Sequence, residues 1–431
     1  MNAQLVICMV IFLATIISFM SGKLTLACTA ITSMVLYMLT GCISGKEVLG
    51  YISNGNAVLI VTMFIVAAGF NRTKFVKQIS GSIVNMAQGS VSKVLIGYVI
   101  ICVVLNQFIT SPLTVLAIVL PLLMQTCDEM NISPSKLVFP IGLAGYMSAA
   151  TIPIGGGATV AAELNGYLEA NGYMDFALML DDPMKVRLPF MIVIILYCIF
   201  VAVKFTPEKP ILTISAEFSG KGVEKKPALD PFREKCGYII FILVTIGLML
   251  GGKLGLQPWQ ITMVGAVLVA VTGVLNPKEV VAAMPISLYL LVVGCLGTAG
   301  ALANSGAGEM IGAMFGSFIK TVNNNYLVGL AFFLIPFVIT QFMNNRAVMA
   351  IFYPIAIVTC KSLGANPIGL ILIIQSAALA ALMTPAAAAV IPVMMSYGGY
   401  DIKSIVKMSL LPSLLCCMIT VVWAMTVFPL F

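Results

Sequence analysis

Histidine is absent from the 431 residues, and Asp, Glu, Lys and Arg together make up only 9% of them. The first absence removes the commonest protein ligand of zinc, copper and haem iron, and with it the ordinary routes to a redox enzyme. The second removes the polar surface that a water-soluble chain needs. Cys-x-x-Cys spacing is also missing. The eleven cysteines stand singly in apolar segments, apart from Cys416–Cys417, and read as small buried hydrophobes. Met1–Met20 has neither the basic start nor the small-residue cleavage site of a signal peptide, so it is read as a span of the mature chain. In so apolar a chain the net charge of +7 carries no nucleic-acid signal; where the charges lie matters more.

What is present is hydrocarbon: 60% of the residues are apolar. Long apolar segments recur at Leu5–Met20, Leu24–Leu39, Val58–Phe70, Phe190–Phe205, Tyr238–Met249, Ile261–Leu275, Leu288–Leu302 and Leu410–Phe428. Several are long enough to cross about 30 Å of bilayer at about 1.5 Å per residue. The expectation is an all-α polytopic membrane protein.

The chain also repeats itself. "SGKEVLGYISNGNAVLIVTMFIVAAG" (Ser44–Gly69) parallels "NPKEVVAAMPISLYLLVVGCLGTAG" (Asn276–Gly300), and "SPLTVLAIVLP" (Ser111–Pro121) parallels "NNRAVMAIFYP" (Asn344–Pro354). "LEANGYMD" (Leu168–Asp175) parallels "MSYGGYDI" (Met395–Ile402) at nearly the same offset. This divides the chain into a first repeat, residues 1–205, a polar linker, 206–235, and a second repeat, 236–431, both repeats contributing to scaffold and transport parts. The mixed charge of the linker suits a solvated connector. Val94–Cys127 and Tyr326–Cys360 are too long for one crossing and short for two full ones with a turn, which predicts a re-entrant hairpin in each repeat. Their polar tips, "ITSPLT" and "MNNRAV", are tolerable at membrane depth only where protein or water satisfies the backbone. Each repeat then holds five transmembrane helices, one of them broken, and one re-entrant helical hairpin. An odd number of spans turns the second repeat over in the membrane. With the linker cytoplasmic, most Lys and Arg, including Lys23, Arg72, Lys74, Lys77, Lys93, Lys136, Lys278, Lys403 and Lys407, fall on the inner side, and both termini lie outside. A multi-pass location in the cell's inner (plasma) membrane is the expectation. Two segments suit interfacial positions between spans: Thr73–Ser90, with Lys74 and Lys77 among Phe75, Val76 and Ile79, and Leu302–Lys320. Inverted repeats with hairpins and interrupted helices mark secondary transporters, whose site lies where the repeats meet.

With these elements in place, the order of segments resembles the divalent-anion:sodium symporter family, within the wider ion-transporter superfamily that includes citrate and arsenite carriers. The resemblance covers nearly the whole chain, without the extra N-terminal helix common in that family. It implies dimeric elevators in which hairpin tips bearing Ser-Asn-Thr or Asn-Asn-Thr and Gly-Thr-Pro-Pro-Asn-like loops build two sodium sites beside a dicarboxylate. Here the second tip keeps Asn344 and Asn345, followed by Arg346, and Pro354 keeps its spacing. The first tip keeps only Ser111, followed by Pro112 and Leu113, before Pro121. The first broken helix, "PIGGGATVAAELNGYL" (Pro153–Leu168), keeps its glycines and a threonine, with Asn165 answering the terminal asparagine; the proline pair is missing. The second, "MTPAAAAVIPVMMSYGGY" (Met383–Tyr400), keeps Thr384-Pro385 and the following Gly-Gly-Tyr, with alanines elsewhere.

Sodium requires oxygen ligands, and Arg346 can only donate, its fixed charge repelling a nearby cation. Leu113 offers no side-chain oxygen, so sodium coupling is expected to be weakened or absent, leaving an exchanger or a proton-coupled carrier. Three roles stand open for Arg346: gripping an anionic substrate through a two-pronged donor pair, replacing the missing sodium, or pairing with Glu163 across the repeats. Glu163 in turn can take up a proton, gate the site by pairing with Arg346, or reach outer-side water. Thr110, Ser111, Thr159, Asn344, Asn345 and Thr384 are candidate hydrogen-bonding groups for the anion, or caps of helix ends. The Gly155–Gly157 run interrupts helix and permits close backbone approach, so that Gly156 and Gly157 open a half-helix whose positive end faces an anion. Asn165 and Pro385 complete the expected substrate-binding set. The function expected is transport of small organic anions, di- or tricarboxylates, by a homodimeric elevator. The only cofactor in question is Na+ or H+ as coupling ion, and no nucleic acid is involved. Within transport the alternatives are a sodium- or proton-linked antiporter or a sulfate-like permease. A membrane enzyme or receptor on the same scaffold is the other class. The absence of histidine, of metal-cluster spacing and of a soluble catalytic domain weighs against an enzyme.

Overall fold

In a computed structural model of the chain, residues 3–21, 23–74, 90–109, 111–154, 156–212, 214, 229–322, 324–342, 345–384, 388 and 390–431 are described. They are helical, with no strand among the described residues. The first half runs α1 (Ala3–Ser21), α2 (Leu26–Leu39), α3 (Gly45–Ile52), α4 (Gly55–Asn71), α5 (Val91–Phe108), α6 (Pro112–Met130), α7 (Pro134–Ser148), α8 (Gly156–Ala170) and α9 (Asp182–Phe200). The second runs α10 (Pro231–Leu254), α11 (Pro258–Val271), α12 (Pro277–Ala283), α13 (Ile286–Ser305), α14 (Ala307–Val322), α15 (Asn325–Thr340), α16 (Asn345–Leu363), α17 (Ile368–Leu379), α18 (Val390–Gly398) and α19 (Ile402–Val427). Among the described residues, seven helical stretches are long and apolar enough to cross a membrane by length and composition. Of the two expected interfacial segments, the second, Leu302–Lys320, covers the end of α13 and most of α14, while most of Thr73–Ser90 lies outside the described residues.

The sequence parallels reappear as matched local chemistry. The helices α3 and α12 both open on a capping box, Ser44 with Glu47 and Asn276 with Glu279, in which side chain and backbone N–H satisfy one another across three residues. The Gly-Tyr parallels form matched turns, with Gly172 at φ +60° and Gly399 at φ +63°, a region open to glycine at no steric cost. From these turns Tyr173 donates its hydroxyl to Ala365 O at 2.9 Å, just before α17, and Tyr400 donates to Ser135 O at 2.7 Å, at the start of α7. Each repeat thus reaches into the other at the corresponding place, as partners related by a two-fold do.

Packing follows the same reciprocity: α2 lies on α13 and α4 on α11, while α5 lies on α7 and α15 on α17. The α2–α13 contact is close because α13 presents Gly294 and Gly297, where an added Cβ would stand 2.4 Å from Ala30 and from Met34. Small residues that let backbones approach are how helices associate when lipid offers no hydrophobic contrast. Hydroxyls join the scaffold helices as well, Thr62 to Thr262 at 2.7 Å and Ser33 to Thr298 at 3.5 Å. Residues just past α9 turn back over the α7 entrance, where Ser135 donates to Pro207 O at 3.0 Å. The backbone N–H groups of Ile211 and Leu212 then donate to Gly399 O, so the described start of the linker is docked on the protein.

Two features position the site. Helices α5/α6 and α15/α16 form hairpins with tips at 109–111 and 341–344; their limbs of 16 to 19 residues are about 24–28 Å long at 1.5 Å per residue, longer than the expected segments allowed. The expected helix breaks fall between α7 and α8 and between α17 and α18.

Candidate functional site

Breaking a helix strands carbonyls at its C-terminal end, and the chain satisfies these with side chains from the hairpins. Gln107, at the end of α5, donates Nε2 to Ser148 O at 2.9 Å and accepts from Ile152 N through Oε1 at 3.2 Å. Gln341, just past α15, donates Nε2 to Ala380 O at 3.2 Å and accepts from Met383 N through Oε1 at 3.0 Å. Both also donate to a carbonyl one turn earlier on their own helix, Val103 and Phe337. A glutamine amide therefore clips each break to its hairpin in the same way. These residues lay in plain view as "NQF" and "TQF" before the tips, and only the repeat alignment carried through to that point would have singled them out.

Between the two tips and the two breaks lies a cavity of about 260 Å³, walled by Ser111, Tyr146, Glu163, Asn345, Arg346 and Tyr353 among others. Arg346 enters it from the first turn of α16 and Nη1 donates to Glu163 Oε2 of α8, an ion pair that crosses the repeats. The Glu163 side chain is only 8% exposed and the Arg346 side chain 36%, so Arg346 is the less buried member of the pair. Tyr167, Tyr353 and Cys295 stand within electrostatic range of Glu163, and Arg346 is the cation that faces it. Asn345 donates Nδ2 to the Tyr146 hydroxyl at 2.9 Å and accepts from Thr340 Oγ1 at 3.3 Å, joining the second tip to α7. Ser111 lines the cavity and also caps α6, accepting from Thr114 N at 3.4 Å.

Of the expected binding residues, the cavity gathers Ser111, Glu163, Asn345 and Arg346. Thr110, Asn344 and Pro385 lie outside the described residues, as does Gly155. Gly156 and Gly157 do begin α8, but off the cavity wall; a Cβ on Gly157 would sit 2.0 Å from Ile152 O, so the glycine is required by close packing of the break. Thr159 turns its hydroxyl back to Gly156 O at 2.8 Å. Asn165 clamps the chain after α8, donating to Leu178 O at 3.0 Å and accepting from Leu178 N at 2.7 Å. Thr384 donates to Gln341 O and so belongs to the clip of the second break. Ala150, in the first break and on the cavity wall, holds φ +54°, a conformation that costs a non-glycine residue about 1–3 kcal/mol and persists where the surroundings enforce it.

Sequence reading placed Arg346 and Glu163 alone at membrane depth. The structure adds Arg187 as a further buried charge that the sequence reading did not single out: it is only 2% exposed, and Nη2 donates to Met147 O at 3.2 Å. Polar Tyr146, Tyr353 and Gln375 were also missed, since a single tyrosine or glutamine inside an apolar run gives no sequence signal.

A helical, multi-pass chain with paired hairpins, paired helix breaks and, between them, a mainly apolar cavity that holds an ion pair is a membrane transporter. The chain belongs to the citrate transporter (CitMHS) family, whose model matches residues 16–374. An uncharacterized transporter of Haemophilus influenzae is 26% identical over 420 residues, covering 93% of this chain and 87% of its own. Two solved structures share the fold. The YdaH transporter of Alcanivorax borkumensis, described as having an unusual topology, matches with a TM-score of 0.58 at 13% identity over 88% of this chain and 86% of its own. MtrF of Neisseria gonorrhoeae, described as illuminating a class of antimetabolite efflux pumps, matches with a TM-score of 0.59 at 14% identity over 90% of this chain and 83% of its own. The protein is thus a secondary transporter, in keeping with the resemblance.

Proposed function

We propose that the protein carries small organic anions, di- or tricarboxylates, by alternating access of an elevator type, without sodium at the hairpin tips, and that a proton is its coupling ion. The observation that carries this reading is the Arg346–Glu163 pair on the cavity wall. A guanidinium held by an internal carboxylate is already arranged for a carboxylate, because its fork matches the two oxygens. Substrate then competes with Glu163 for Arg346. A released, ionised Glu163 would be an unpaired buried charge, which is expensive inside a membrane protein, and proton uptake removes the expense. Anion binding and protonation of Glu163 are therefore linked, which makes the pair both gate and coupling device.

Absence of sodium coupling is supported by the two glutamine clips. At each break a carbonyl oxygen freed from its helix, Ser148 O and Ala380 O, accepts from the amide groups of Gln107 and Gln341, which leaves it less available to a cation. Arg346 at the second tip adds a fixed positive charge nearby. The homodimer, the inverted arrangement of the repeats, the inner-membrane location and the cytoplasmic linker belong to the same reading and rest on the sequence and the family. Counterflow of labelled succinate and citrate in proteoliposomes tests it: uptake independent of sodium and driven by an inward proton gradient is expected. Absence of exchange with any dicarboxylate, tricarboxylate or inorganic dianion refutes it.

A further inference from the structure

Among the described residues, the guanidinium of Arg187 has no carboxylate beside it. Its side chain is buried at the start of α9, and of its three nitrogens only Nη2 finds an acceptor among these residues, Met147 O near the end of α7; Nε and Nη1 have no partner there. Tyr146, Tyr353 and Cys416 lie within electrostatic range, and the two tyrosines are walls of the cavity that holds Arg346. The same region collects other unanswered polar groups. Gln375 of α17 lines the cavity with both amide atoms buried and unpartnered. Ser376 beside it and Ser413 of α19 have free hydroxyl oxygens, and Cys416, one turn on from Ser413, points its sulfur toward Ser376 O at 3.9 Å. Buried polar groups are nearly always satisfied, and an unanswered cation most of all needs a counter-charge.

We infer that Arg187, with Gln375 and Ser376, forms a second anion subsite behind Tyr146 and Tyr353, which receives the distal carboxylate of a substrate whose proximal carboxylate rests on Arg346. This rests on the proposed function and names its substrate class: anions with two or more carboxylates rather than one. The charges agree. Arg346 and Arg187 against a dianion, with Glu163 protonated, sum to zero in the loaded site, the state best tolerated when a substrate domain moves through a membrane.

The test compares wild type with Arg187→Lys, Arg187→Gln and Gln375→Leu, using counterflow of labelled succinate and competition by unlabelled citrate, succinate and the monoanion lactate. Arg187→Gln is expected to raise the half-saturating concentration of the dianion and trianion at least tenfold while leaving lactate inhibition within twofold, and Arg187→Lys to restore part of the difference. Gln375 makes no internal hydrogen bond, so Gln375→Leu is expected to leave or raise the melting temperature of the empty carrier while weakening succinate at least fivefold. This variant keeps the question decidable if Arg187 replacements fold poorly. Equal loss for mono- and dianions, or unchanged succinate affinity in Gln375→Leu, overturns the subsite and assigns Arg187 to capping α7. If wild type itself exchanges no organic anion, the proposed function has failed instead, and the two outcomes are separate.

Discussion

Replacing Glu163 with glutamine keeps the shape of the α8 face and one hydrogen bond to Arg346 but removes the internal anion. A fully buried pair that loses one partner costs about 3–5 kcal/mol, whereas an exposed pair is worth about 0.2–1 kcal/mol. Glu163 lies at the buried end of that range and Arg346, 36% exposed, toward the other. The residual hydrogen bond reduces the loss further, to about 1–2 kcal/mol. Two opposite effects follow from one number. The empty carrier is destabilised by that amount, while an anion competing for Arg346 no longer has to displace a carboxylate and gains the same amount. At 1.4 kcal/mol per decade this is about 5- to 30-fold tighter binding. The proposed link to protons is lost at the same time: a pH dependence of substrate binding is expected in the wild type, and in the variant affinity is flat with pH. Titration of succinate against the melting temperature of the purified protein, at several pH values, reads all three effects. Weaker binding in Glu163→Gln, with the pH dependence retained, would show that Glu163 neither competes with substrate nor carries the proton.

Other expectations are independent of that experiment. Gln341→Ala and Gln107→Ala each leave a break carbonyl and an N–H without partners, and each is expected to destabilise by about 1–3 kcal/mol and to lower transport, read as melting temperature and counterflow; unchanged stability would dismiss the clips. Gly157→Ala forces a Cβ against Ile152 O, and overpacking of about 1–3 kcal/mol with loss of transport is expected. Asn165→Ala, by contrast, is expected to lower the melting temperature while leaving the succinate half-saturation within twofold, because Asn165 binds the Leu178 backbone and not the cavity. Asp401 caps α19, and its carboxyl is held below the usual range by hydrogen bonds from the Ser404 side chain and backbone. That contribution is present above the carboxyl's unfolded value and disappears as pH falls through the lowered one, so Asp401→Asn should flatten the acid side of the stability profile.

The fold was largely legible because the repeat is written in residue types that have strong local meanings. The Ser44–Glu47 and Asn276–Glu279 spacings are capping boxes in sequence and in space, and the Gly-Tyr turns at 172–173 and 399–400 need a glycine conformation. The helix breaks fell at or near residues that resist helix: three glycines in the first half and the Thr384-Pro385 stretch in the second. The site was legible in its charges and less so in its polar contacts. Arg346 and Glu163 stood out because a charge inside an apolar run needs a partner. Arg187 did not, because it follows "DDPMKV", and two aspartates and a lysine disguise a buried arginine as the exposed start of a helix. Thr159, Asn165 and Thr384 each spend their hydroxyl or amide on backbone: Thr159 on Gly156 O in its own helix, Asn165 on Leu178 in the chain after α8, and Thr384 on Gln341 O beside the second break.

The two halves use the same scaffold for unlike chemistry. Both clips are glutamine, and both breaks expose the ends of half-helices, while at the first tip Ser111 caps the helix that follows it. Yet the first tip contributes Ser111 and Pro112, without charge, and the second contributes Asn345 and Arg346. A two-fold scaffold with identical tips would present like charges to one another across the cavity. Placing the cation on one tip and the carboxylate on the opposite half's broken helix makes the interaction attractive, and makes it span the two repeats. If α8 and α16 travel together, the pair can open for substrate without being pulled apart by the movement. Their direct contact, and the hydrogen bond from Asn345 to Tyr146 of α7, tie both ends of the ion pair to the same set of helices. On the proposed mechanism, opening is then governed by anion and proton rather than by the position of the carrier, which is the condition for coupling the two.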